Sequence, residues 1–136
     1  MAGIRLDGAG QAKMVTLDDA VVIHQRVHTL VEQYAMAIKR NQPASHLLQN
    51  LKRQMPMLAG KLKGQFGMIS DLVTATNMSM TRGASDVIRI RSMREGVAAI
   101  KTQLEIAIAQ TIAKHDAKDE KKEAKDEKQE AKEEAP

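Results

Sequence analysis

The chain has 136 residues, 21 basic and 17 acidic, giving a formal net charge of +4. It contains no cysteine, which excludes disulfides and thiolate metal centres. No apolar run approaches the ~18 residues that span a bilayer, and the first fifteen residues lack the apolar stretch of a secretory leader, so a cytoplasmic protein is expected.

Residues 1–15 carry Gly3, Gly8 and Gly10 and show no periodicity, which predicts a flexible N-terminal segment. The first helix is expected from Thr16, whose hydroxyl can accept a bond from an early backbone amide, with Asp18 and Asp19 favouring the positive end of the dipole. Its apolar seam runs Leu17, Ala20, His24, Val27, Val31, Tyr34, Ile38 at alternating spacings of three and four, the pattern of a helix with one packed stripe. Lys39 and Arg40 close it, and Asn41-Gln42-Pro43 ends it because proline disfavours a helical conformation in the residue before it.

The second segment, 44–82, repeats the pattern through Leu48, Leu51, Met55, Leu58, Leu62, Gln65, Ile69, Leu72 and Thr76. Two features conflict here. Pro56 costs about 3 kcal/mol in a helix interior, and Gly60, Gly64 and Gly67 each cost up to about 1 kcal/mol relative to alanine. Against a break in 56–67, the register holds unchanged from Leu48 to Leu72, so a continuous kinked helix is the preferred expectation. Arg82-Gly83-Ala84 is expected to turn the chain, with Ser85 capping the third helix and Asp86 in its first turn. That helix presents Ile90, Met93, Val97, Ile100, Leu104, Ala107 and Thr111, and Arg91–Glu95 and Lys101–Glu105 are spaced to pair. Ile106, Ile108 and Ile112 add apolar surface beyond one stripe, which predicts deep burial or a contact with another chain.

Continuing the last register gives Lys114, Lys118, Lys121, Lys125, Lys128 and Lys132, and lysines cannot form a buried stripe. Residues 114–136 are a low-complexity tail of Lys, Glu, Asp and Ala in which nine i,i+4 pairs are like-charged and one, Lys122–Asp126, is opposite. Like pairs at this spacing destabilise a helix, so the tail is expected to be disordered alone and able to order on assembly. The fold expected is therefore all-α: three antiparallel helices in a coiled-coil-like bundle over 16–113, or four if 56–67 breaks.

Candidate chemistry is sparse. His24, His28 and Glu32 lie one turn apart and offer metal-ligand types, but His24 is a seam position, where a hydrogen-bonded polar residue fixing register is expected instead. The thioether pairs Met55/Met57 and Met78/Met80 suit monovalent copper, yet no histidine stands beside either. No nucleophile-and-base spacing or phosphate-binding glycine loop is present, so neither catalysis nor a cofactor nor a bound metal is expected. No acid occurs between Glu32 and Asp71, while Lys39, Arg40, Lys52, Arg53, Lys61 and Lys63 fall in or beside that gap.

The functional expectation is a non-enzymatic helical interaction protein: an adaptor, scaffold or assembly subunit that self-associates and holds another protein. The expected contact residues are Leu104, Ile106, Ile108 and Ile112, with the adaptable methionines Met68, Met78 and Met80. The alternative is a sequence-independent nucleic-acid binder using the six cations named above, in which they would contact phosphates. An anionic membrane surface is the third partner that those cations suit. The scarcity of aromatics (Tyr34 and Phe66) argues against stacking on single-stranded bases.

Overall fold

The computed structural model describes residues 6–81 and 85–115. Among them the chain forms four α-helices, α1 (Gly8–Lys39), α2 (Ser45–Leu62), α3 (Gly67–Thr81) and α4 (Asp86–His115). Each helix packs on its chain neighbour, and α1 also packs on α4, while no direct packing joins α1 to α3 or α2 to α4. This is a square bundle with up-down-up-down connectivity. The antiparallel α1/α4 pairing is read from Tyr34 against Asp86, His24 against Val97 and Asp7 against His115.

The core is aliphatic. Leu17, Val27 and Val31 of α1, Leu51, Met55, Leu58 and Leu62 of α2, Val73 and Met80 of α3, and Met93 and Ile100 of α4 are all fully enclosed. Each such side chain stabilises by roughly 1.5–3 kcal/mol relative to exposure.

The second segment breaks, and the kinked-helix expectation is corrected. Pro56 is tolerated inside α2 on its exposed face, whereas residues 63–66 form the turn. Lys63, Gly64 and Gln65 are exposed, and the Phe66 amide still bonds the Leu62 carbonyl at 2.7 Å. Leu62 and Ile69 sit seven residues apart in one register, which hid the reversal. On α3 the buried face is Ile69, Val73, Thr76 and Met80, and Leu72 is only half-buried.

The start of α1 is also corrected. The helix begins eight residues earlier than Thr16, with Asp7 as N-cap accepting the Gly10 amide at 2.6 Å. Thr16 instead donates its hydroxyl to the Ala12 carbonyl, 3.2 Å away within the helix. At the other end Asn41 takes a left-handed conformation (φ 53°). Its amide bonds the Ile38 carbonyl at 3.1 Å and the Gln42 amide bonds that of Ala37 at 2.8 Å, a Schellman closure that acts before Pro43 is reached.

Ser85 caps α4 as expected, its Oγ accepting the Ile88 amide at 3.3 Å. Neither Arg91–Glu95 nor Lys101–Glu105 closes among the described residues. On α4 Arg89 pairs with Asp86, and Arg94 forms a bidentate pair with Glu32 at 3.0 and 3.1 Å. The expected turn at Gly83 and the tail beyond His115 lie outside the described residues; Lys114 and His115 belong to α4.

Candidate functional site

Helix length sets the geometry of the site. With about 1.5 Å of rise per residue, α1 (32 residues) and α4 (30 residues) extend roughly 45–48 Å, while α2 (18) and α3 (15) reach roughly 22–27 Å. All four helices meet near the Tyr34–Asp86 end. The α2–α3 turn then stops level with Asp19, which Lys61 approaches to 3.8 Å. Beyond it about the first three turns of α1 and the last three of α4 continue as a two-helix stem.

That stem is clasped at its tip. The Asp7 amide donates to the His115 carbonyl at 2.9 Å, and the His115 Nδ1 lies 3.1 Å from the Asp7 carboxylate. Lys13 Nζ stands 3.0 Å from the opposite ring nitrogen, so the neutral ring donates through Nδ1 and accepts at Nε2. Gly10 makes the approach feasible, since a Cβ there would meet the His115 side chain. Bonds from the Gly10 amide first, and then from His115, hold the Asp7 carboxyl below the ordinary carboxylate range.

Under the α2–α3 turn, on the inner side of the stem, lies a groove of about 340 Å³. Phe66, Met68, Ile69, Ile106 and Ala107 form its apolar walls, and Gln65, Gln103 and Gln110 edge it. Lys13, Lys114 and His115 close its lower end. Met68 is 88% exposed, the most exposed large apolar side chain among the described residues, and Ile106 beside it is 42% exposed.

The expected contact residues therefore divide. Met68 and Ile106 line the groove. Leu104 and Met80 are core residues, buried against the other helices. Ile108 packs half-buried against the core and Ile112 is half-buried, so much of the apolar excess of α4 is used inside the bundle. Met78 is half exposed ten residues further along α3 and does not line the groove. Lys13, Phe66, Gln103 and Gln110 were not singled out by periodicity, while Gln65 was read as a seam position and is exposed at the groove edge. The signal that could have revealed them is the mismatch between two long helices and two short ones.

The six candidate cations are all exposed, but they do not converge. Lys39 and Arg40 sit at the α1 end, and Lys52 is seven residues into α2, roughly 10 Å down the bundle. Lys61 and Lys63 lie at the opposite end of α2, and Lys61 is engaged by Asp19.

His24 is 6% exposed, with Nε2 2.9 Å from the Val97 carbonyl. Burial pushes its pKa below the ordinary value, against the opposing effect of that hydrogen bond, and His28 and Lys101 add repulsion. His24 is a register-fixing core residue, as its seam position predicts. Glu32 is held below its ordinary value chiefly by the Arg94 hydrogen bonds and is spent on that pair. Among the described residues no group of three metal-ligand types converges, and no helix is long and apolar enough to cross a membrane.

No protein-family model matches the chain, and neither does any curated protein or solved structure. The functional reading therefore rests on the residues themselves.

Proposed function

We propose that this is a non-enzymatic interaction protein, an adaptor, scaffold or assembly subunit, that works by packing a further helix against its stem. The observation that carries the reading is the open seat below the α2–α3 turn, where Met68 stands 88% exposed beside Ile106. In a four-helix cross-section each inner face is covered by neighbours, but along the stem two of the four positions are empty. A helix laid there would bury apolar side chains that the monomer leaves in water. Self-association and capture of a second protein are two uses of that one seat.

The test is a titration of isotope-labelled full chain with a synthetic helical peptide bearing a Leu/Ile stripe and uncharged glutamine flanks, read by amide chemical shifts. Shifts confined to residues 65–69 and 103–115, abolished by Met68→Asp combined with Ile106→Asp, are the expected result. Both positions are exposed, so the double variant should melt like the parent. Binding that is indifferent to the double variant would overturn the reading. For nucleic acid, light scattering with a short duplex across a salt series is the check. A mass increase that fades as salt rises, and that is lost on charge reversal at Lys52 and Arg53, would transfer the function to the cationic face.

A further inference from the structure

The chemistry of the groove specifies more than an apolar partner. We infer that its occupant is an amphipathic helix of another protein whose apolar stripe is flanked by carboxylates. This inference rests on the helix-seating reading above and names the partner that reading leaves open.

Four observations carry it. None of the thirteen residues lining the groove is Asp or Glu, while Lys13, Lys114 and His115 gather at its lower end, where the Asp7 carboxylate outside the lining is already bonded to His115. Lys114 is exposed and has no ionic partner among the described residues, whereas Lys13 is already placed against the His115 ring. Above them the rim is glutamine, which can bond a carboxylate without a charge of its own. An acidic flank therefore meets attraction at one end and no repulsion along the rest, and a basic flank meets repulsion from Lys114. The first turn of α3, Gly67 to Ile69, also opens on the groove, and the positive end of its dipole adds to the same preference.

Two other occupants fit less well. A second copy docked about a two-fold axis would present the same acid-free patch to itself, so its lysines would meet glutamine or lysine and no carboxylate of the groove. The chain's own residues 116–136 supply acids, but their only apolar side chains besides Pro136 are alanines, which offer nothing to set between Met68, Phe66 and Ile106. From Gln103 to His115 the stem face runs roughly 18 Å, room for about three helical turns.

The experiment compares two synthetic helical peptides of about sixteen residues with an identical Leu/Ile stripe, one flanked by glutamate and one by lysine. Each is titrated into the labelled full chain and into the Lys114→Glu variant. The expected result is shifts confined to the amides of 65–69 and 103–115, with the glutamate peptide binding about tenfold tighter. Lys114→Glu should narrow or reverse that ratio, and added salt should shrink it. Equal affinities for the two peptides would overturn the acidic partner while leaving the groove as a seat for helices. Shifts in neither titration would overturn the seat as well. Concentration-dependent shifts of the same amides without peptide would assign the groove to a second copy and overturn the inference.

Discussion

His24 links protonation to the packing of α1 on α4. Its ring is buried, bonded to the Val97 carbonyl, and favoured in the neutral form. The unfolded chain takes up a proton near the ordinary imidazole value of 6.5, whereas the folded ring resists until lower pH. Between those values the unfolded state binds more protons, so the contribution is complete above 6.5 and is lost as pH falls below it. Thermal melting should therefore weaken from pH 7 toward pH 5, and His24→Gln should flatten that slope. An unchanged slope in the variant would assign it elsewhere. A second residue-scale prediction concerns Gly96, where a Cβ would collide with the Thr76 side chain of α3. Gly96→Ala gains helix propensity of up to about 1 kcal/mol, but Thr76 is buried and stiff, and overpacking costs about 1–3 kcal/mol. Denaturant unfolding should show net destabilisation, relieved when Thr76→Ala is added.

At the scale of elements, the α2–α3 hairpin is the weak half of the bundle. Its two helices are short, and each carries a buried amide oxygen without a hydrogen-bond partner, on Gln54 and Asn77. An unsatisfied buried acceptor costs about 1–3 kcal/mol, so Gln54→Leu and Asn77→Leu should each raise stability by about 1 kcal/mol in urea unfolding. A loss of stability in either would show that its amide is satisfied by water. The long elements were the legible ones. Every expected seam residue of α1 from Leu17 to Tyr34 and of α4 from Met93 to Thr111 is buried, because straight helices preserve one register. The hairpin was not legible. A reversal that places Leu62 and Ile69 seven residues apart looks identical to an unbroken heptad, and Val73 went unnoticed because the assumed phase favoured Leu72. The opening of α1 was missed for a different reason. Gly10 reads as a flexible residue, yet it is the point where α4 comes closest. The groove is a product of unequal helix lengths, which no local periodicity encodes.

For the whole molecule, the stem depends on its clasp. Lacking α2 and α3 beside them, the ends of α1 and α4 hold each other through few buried side chains and through the Asp7, Lys13 and His115 contacts. Those contacts come from residues at nearly opposite ends of the folded chain, so the position of the C-terminal cut matters. A chain ending at His115 should melt cooperatively at the temperature of the full chain. One ending at Ala113 removes the clasp, and its melting temperature should fall by several degrees while the amides of residues 8–16 exchange faster. Because the folded Asp7 carboxyl sits below its ordinary value of 3.8, its share is complete above that value and is lost as pH falls through the lowered one. Acidification of the His115-terminated chain should then release the same amides before the centre of the bundle opens. Equal exchange in the two truncations would mean that apolar packing alone, through Met14 and Ile108, holds the stem. The groove would then persist without Lys114, and the partner's acidic flank would lose the unpaired lysine it is inferred to meet.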